Sequence, residues 1–190
     1  MTEEKNKWGG ISAFGLHLLA MGLMLCDHLW ATVLPVDILT WLGRISFPIF
    51  AFMLVEGYFH TRSVRRYGLR LLALALLSEI PFNLFYGGRW FYPLHQNVIW
   101  TLLLSLLCIH LIETVRCQGK PWKTVLVATA VAVVGFALGF LTMIDYYGYG
   151  VLMALIFYAF RGRRWYCLMG QILLLGYVNW EMMEIGRAHV

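Results

Sequence analysis

Cys26-Asp27-His28 sets a carboxyl and an imidazole side by side inside one apolar run, Ile11 to Leu34. An ionisable group in hydrocarbon costs at least about 2.5–3.5 kcal/mol, so such groups face a protein interior or a wet cavity and mark a site that binds or relays charge. An imidazole titrates near neutrality and so suits proton transfer. Neighbours on a helix point about 100° apart and only residues three or four apart meet, so Asp27 cannot orient His28 and the partner must come from another segment. Further polar groups lie within or at the ends of other apolar runs: Arg44 and Glu79 within them, His95-Gln96-Asn97 opening the fourth and Asp145-Tyr146 closing the fifth. A second set has helical spacing. Glu56 and His60 are i and i+4, and Arg62, Arg66 and Arg70 follow at four-residue steps, a stripe suited to phosphate.

The elements that must carry these residues follow from composition. With 61% hydrophobic and 13% charged residues and a mean hydropathy of +0.70 in 190 residues, the chain is too apolar for a soluble domain, which carries about 25% charge. Spanning the hydrocarbon takes roughly 20 apolar residues in a helix. Seven runs approach that length: Ile11–Leu34, Leu39–His60, Tyr67–Tyr86, His95–Val115, Trp122–Ile144, Tyr147–Phe160 and Trp165–Trp180. They lack polar/apolar alternation, which excludes strands, since a bilayer admits helices or closed barrels. The expectation is an all-α polytopic bundle of seven spans, a single domain over residues 1–183. No small-residue cleavage site follows the first run, so its helix is expected to stay.

Charge sets the orientation. Lys5 and Lys7, then Arg62, Arg65, Arg66 and Arg70, then Arg116, Lys120 and Lys123, then Arg161, Arg163 and Arg164 occupy alternate connections; the others hold only Arg89. Such clusters in short loops are cytoplasmic, which puts the N-terminus inside and accounts for the +5 formal charge without nucleic acid. The partner implied is a lipid bilayer. The topology also sorts the polar residues by depth. Asp27, His28, Arg44, Glu79, His95, Gln96, Asn97, Asp145 and Tyr146 fall at an outer level, and Glu56, His60 and the arginine stripe at a cytoplasmic one. Cys26, Cys108, Cys117 and Cys167 show no CxxC spacing, and no HxxxH or HExxH pair fixes two metal ligands on a helix, so no disulfide framework and no metal site are expected.

Several stretches in order resemble the TraX family: Met24-Leu25-Cys26-Asp27-His28, Gly43-Arg44-Ile45-Ser46-Phe47-Pro48, Val55-Glu56-Gly57-Tyr58-Phe59-His60-Thr61-Arg62, Ser78-Glu79-Ile80-Pro81-Phe82 and His95-Gln96-Asn97-Val98. Tyr147-Gly148-Tyr149-Gly150 and the basic turn at Arg161 also fit, so the resemblance extends from about Gly15 to Gly162. The founding member of the family is associated with N-terminal acetylation of pilin, an acceptor that does not carry over to relatives without pilin, and the family looks distantly similar to transmembrane acyltransferases. The resemblance therefore implies an enzyme of the bacterial cytoplasmic membrane that moves an acetyl group from cytoplasmic acetyl-CoA to an outer amine or hydroxyl, on a protein N-terminus, a glycan or a small molecule.

Such a transfer needs a base at the acceptor, a steadied oxyanion and a grip on the anionic cofactor. Under that reading His28 is the base, with Asp27, Glu79 and His95 as the other catalytic candidates. Arg44, Gln96, Asn97, Asp145 and Tyr146 serve substrate and oxyanion, and Arg62, Arg66, Arg70, His60 and Glu56 the cofactor at the cytoplasmic mouth. Plainer readings stand beside these: an Asp27–Arg44 ion pair tying two helices, an arginine stripe that only sets topology, packing histidines at His17 and His110, and close helix packing at Gly135 and Gly139. From another class, a proton-coupled transporter would use Asp27, His28 and Glu79 as a relay; an internal repeat and paired broken helices are missing, and Glu79-Ile80-Pro81 is expected as a lone break. The last seven residues, Glu184 to Val190, resemble a translated sequencing adapter and are set apart from the fold, with a truncated frame before them.

Overall fold

A computed structural model describes residues 12–34, 36–92, 95–162 and 164–187. These are all-helical: α1 (Ala13–Thr32), α2 (Asp37–Gly43), α3 (Ser46–His60), α4 (Val64–Gly87), α5 (Val98–Arg116), α6 (Pro121–Leu141), α7 (Tyr147–Ala159) and α8 (Trp165–Arg187). Five stretches are long and apolar enough to cross a membrane, counting Asp37–His60 as one, and Tyr147–Ala159 and Trp165–Val178 are shorter apolar helices. The helices are apolar outside as well as inside. Leu76, Leu77, Val125, Leu126 and Val133 are all more than half exposed, the surface of a multi-pass membrane protein facing lipid chains. Lys5, Lys7, Pro35, Pro93, Arg163 and the tail residues 188–190 lie outside the described residues.

Two elements differ from expectation, each at a proline. The second run is two helices, because α2 ends at Gly43 and α3 starts at Ser46. A continuous helix would drive the Pro48 ring into the Arg44 carbonyl four residues back, whereas in the first turn of a new helix the missing N–H costs nothing. Glu79-Ile80-Pro81 is not a break. The helix α4 continues through Pro81 to Gly87 and stops at Gly88, whose φ of 60° is the left-handed cap that glycine adopts freely. Helix membranes tolerate such prolines where neighbours satisfy the freed carbonyl.

The chain forms two compact units, Met1–Met53 and Leu54–Val190, with the boundary inside α3. In the first, α2 packs on α1. Gly43 lies against Asp27 so closely that any β-carbon there would collide with the Asp27 side chain. Ser12 caps α1 by accepting from the Gly15 N–H at 3.0 Å.

In the second unit α5 is central, packing against α4, α6 and α7, with α8 on α7. Its buried stripe, Thr101, Leu102, Ser105, Leu106, Ile109 and Ile112, recurs at three- and four-residue steps. The two hydroxyls in that stripe are satisfied: Ser105 donates to the Thr101 carbonyl at 2.7 Å and Thr101 to the Asp145 carbonyl at 2.5 Å. The α6–α7 hairpin is held at backbone contact. A β-carbon on Gly139 would come within 2.6 Å of the Gly148 nitrogen, and one on Gly148 would strike the Phe136 carbonyl. Small residues at such crossings are how membrane helices gain van der Waals contact without a hydrophobic drive between them.

Candidate functional site

The second unit has a basic end and a polar end. At the basic end Arg62, Arg66 and Arg70 line one cavity of about 390 Å³, with Thr61, Ser63 and Tyr67. Four-residue steps along α4 put Arg66 and Arg70 on one face, and Ser63 opens the helix by accepting from the Arg66 N–H at 3.3 Å. The Tyr67 ring rests on Gly57, where an added β-carbon would stand 2.9 Å from its hydroxyl. Among the described residues no carboxylate lies within ion-pairing distance of any of the three guanidiniums.

Glu56, which the sequence groups with that stripe, is committed elsewhere. Its carboxylate accepts two bonds from Arg161, 2.7 Å from Nε and 3.2 Å from Nη2, and the Arg161 guanidinium lies 4.2 Å from the centre of the Phe59 ring. His60 turns Nδ1 to the Glu56 carbonyl at 2.7 Å and stands 3.8 Å from its carboxylate. A second knot joins α5 and α7: Tyr158 donates to Glu113 at 2.6 Å, and Arg116 pairs with the same oxygen at 3.2 Å. Tyr58 meets His110 at 3.2 Å, so that histidine has the partner a packing role calls for. Glu113 and Tyr158 were not singled out by sequence. The signal available was a lone carboxylate inside the fourth apolar run.

At the opposite end six expected residues gather around the start of α5. Asn97 is 3% exposed and caps the helix, accepting from the Ile99 N–H at 3.0 Å. Its amide donates to the Ala75 carbonyl at 2.9 Å and to Glu79 Oε2 at 2.5 Å. Trp100, one turn on, donates to the same Glu79 oxygen at 3.0 Å. Sequence reading missed Trp100; its three-residue step from Asn97 was the clue. Gln96 exchanges backbone bonds with the α6–α7 turn, its N–H to the Met143 carbonyl at 3.0 Å and its carbonyl from the Asp145 N–H at 2.9 Å. That bridge carries Asp145 to His95, with His95 Nε2 3.7 Å from Asp145 Oδ1 and the imidazole stacked on Phe82 at 5.4 Å. Asp145 Oδ1 also accepts from the Tyr146 N–H at 3.0 Å.

Asp145 and Tyr146 do not close α6. They form the turn after it, and Tyr146 is the N-cap residue of α7. Met143, Tyr146 and Tyr147 all have positive φ, 52°, 62° and 46°. Each such residue costs on the order of 1–3 kcal/mol and persists where surrounding contacts over-determine it, a pattern that clusters at functional sites. Here the Gln96 bridge and the Thr101 hydroxyl do so.

In the first unit Asp27 accepts from Thr40 Oγ1 at 3.0 Å. The Asp27–Arg44 ion pair is not formed; Arg44 sits at the α2–α3 break with no carboxylate in pairing range among the described residues, and the hydroxyl takes the place expected for the guanidinium. Thr40 carried no sequence signal beyond being polar in an apolar run. His28 Nδ1 lies 2.8 Å from the Met24 carbonyl. A carbonyl only accepts, so this contact assigns the proton to Nδ1 and the lone pair of the neutral ring to Nε2. His17 meets Phe50 edge-on at 5.6 Å, as a packing histidine does.

The probable fimbrial assembly protein FimC, serogroup H1, of Dichelobacter nodosus is similar to this chain, 32% identical over 111 residues, which is 52% of this chain and 45% of that protein. The chain thus spans under half the length of this curated relative. No solved structure matches it. The family profile described as TraX protein matches residues 13–189, and with that match over nearly all of its length the chain belongs to the TraX family.

Proposed function

We propose that this protein is a membrane acyltransferase of the bacterial cytoplasmic membrane, taking an acetyl group from acetyl-CoA at its basic end for an amine or hydroxyl acceptor at its outer end. The observation that carries this reading is the 390 Å³ cavity where Arg62, Arg66 and Arg70 stand with no carboxylate in pairing range among the described residues. Guanidiniums hold phosphate oxygens by charge-assisted, often bidentate bonds, and coenzyme A is rich in phosphate. Arg161 supports the same reading, because by pairing with Glu56 it keeps that carboxylate's charge answered beside the cavity residue Gly57.

At the outer end His95 is the base the geometry favours. A carboxylate beside an imidazole is the usual means of orienting a base and steadying its protonated form. In the reaction the acceptor nitrogen or oxygen attacks the thioester carbonyl, the carbon–sulfur bond breaks as the new bond forms, and the acceptor proton passes through His95 to the departing thiolate, giving acetylated acceptor and free coenzyme A. Glu79 already accepts from Asn97 and Trp100, which fits a positioning residue better than a second base. His28, with its lone pair assigned to Nε2, is the competing imidazole. The relative's name makes the amine of a fimbrial subunit one acceptor to assay.

Isothermal titration of purified protein with acetyl-CoA tests the reading. Binding that Arg66→Gln weakens is expected, and a folded protein with no detectable binding at millimolar acetyl-CoA overturns it. Proton-driven uptake by proteoliposomes without acylated product would replace it with a transporter.

A further inference from the structure

Four-residue steps put Glu79, Asn83 and Gly87 on one face of α4. Gly88 ends the helix in the left-handed conformation, and the chain folds back over that face. The Tyr92 ring lies against Gly87, where a β-carbon would come within 2.7 Å of it, and Asn83 Nδ2 donates to the Trp90 carbonyl at 3.4 Å. Asn83 is left 2% exposed. A carbonyl only accepts, so this contact assigns the amide nitrogen to Trp90 and leaves the oxygen for another group. Asn83 Oδ1 is buried with no hydrogen-bond partner among the described residues. Such an atom calls for a donor or a cation.

Glu79, one turn toward the start of the helix, is short of a partner of a different kind. It lies six residues before Phe85, where the apolar stretch Val64–Phe85 ends, and so about 9 Å inside it. Carboxylates at such depth are almost always paired, yet among the described residues no arginine, lysine or histidine lies within ion-pairing distance of Glu79. Its two neutral donors, Asn97 and Trp100, both go to Oε2. Side chains on a helix lean toward its N-terminus, so the Asn83 amide leans over the turn that carries Glu79. A negative charge without a counter-charge and an oxygen without a donor therefore stand on adjacent turns of one face. A water molecule donates to both oxygens but brings no charge, whereas a cation answers both needs.

We infer that a small monovalent metal cation binds between Glu79 and Asn83, held by the Glu79 carboxylate, Asn83 Oδ1 and the Trp90 carbonyl. At 3.4 Å that carbonyl's bond to Asn83 is longer than the 2.7–3.2 Å norm, which leaves a lone pair for an ion. Carbonyl and carboxylate oxygens are the ligands hard cations take, and no histidine or cysteine pair is needed. One carboxylate matches one positive charge, and the burial of Asn83 suits a bare ion over an organic ammonium. The ion fixes the carboxylate that Asn97 and Trp100 bond, and with it the start of α5 beside His95. None of this depends on acyl transfer.

The test uses the full chain purified in detergent. Thermal melting is followed in sodium, potassium and choline chloride at one ionic strength, and binding of radioactive sodium is measured directly. Sodium or potassium should raise the melting temperature saturably over choline, with a single sodium ion bound per chain. Glu79→Gln keeps an oxygen for Asn97 and Trp100, and Asn83→Leu replaces the orphaned oxygen by apolar atoms of similar volume. Each should weaken sodium binding about tenfold or more, the scale of one contact to a charged group, and flatten the difference between salts. Should Asn83→Leu fail to fold, the same two readouts on Glu79→Gln decide. Equal melting in all three salts with no sodium bound overturns the inference and leaves water as the donor to Asn83. Sodium binding that Glu79→Gln retains at full affinity overturns it as well.

Discussion

The two ends of the second unit both gather charged and polar side chains but treat them in opposite ways. At the basic end three guanidiniums line a cavity with no acid among the described residues to answer them. At the polar end the site carboxylates already have donors: Glu79 accepts from Asn97 and Trp100, and Asp145 accepts from the Tyr146 N–H, with His95 Nε2 3.7 Å away. Unanswered like charges repel and raise the free energy of the empty protein, so a cluster that persists is suited to an arriving anion. Satisfied carboxylates hold a fixed geometry and orient the groups around them. One end is arranged to receive charge and the other to aim it.

Substitutions at the two ends are expected to separate stability from function. The largest effect is expected from His95→Ala, which should lower acetyl transfer by about 10²–10⁴-fold, the span of general base catalysis, while acetyl-CoA binding stays unchanged; His28→Ala in the same assay decides between the two imidazoles. Asn97→Ala removes a helix cap, a donor to Glu79 and a donor to the Ala75 carbonyl at one 3%-exposed position. A cap is worth about 1 kcal/mol and an orphaned buried acceptor about 1–3 kcal/mol, so a clear drop in the denaturation midpoint in detergent is expected. Acetyl-CoA affinity should fall about tenfold in Arg66→Gln, one charge-assisted contact, with the melting point unmoved. A melting point that falls with the affinity would mean the arginines are structural. The smallest effect is expected from Arg161→Gln. The half-exposed pair with Glu56 contributes about 0–1 kcal/mol to stability, yet the unanswered Glu56 carboxylate should weaken acetyl-CoA binding several-fold at low salt and less at high salt, where charges more than about 10 Å apart are screened. Restoration of affinity by adding Glu56→Gln would tie the loss to charge; no restoration would tie it to packing.

The distinction also shows what could be read along the chain. Two members of the arginine stripe were legible because Arg66 and Arg70 lie on α4, where four-residue spacing places them on one face; Arg62 stands in the turn before that helix. The gathering of Glu79, His95, Gln96, Asn97 and Asp145 was legible as a shared depth, since hydrophobic runs of fixed length bring their ends to common levels. Two departures were written in prolines. Pro48 four residues after Arg44 signals the α2–α3 break, and Pro81 reads as a break although α4 passes through it.

What the sequence alone determined is the set of apolar helices, because hydropathy and the cost of unsatisfied backbone in lipid act locally along the chain. Partner choice was decided by the tertiary structure. Asp27 bonds Thr40 and not Arg44, Glu56 bonds Arg161 and leaves the phosphate stripe, and Asp145 reaches His95 through the Gln96 bridge. Those outcomes depend on the rotation of each helix about its axis and the angle of each turn, which contacts such as the Gly139–Gly148 crossing fix and no single run of residues encodes.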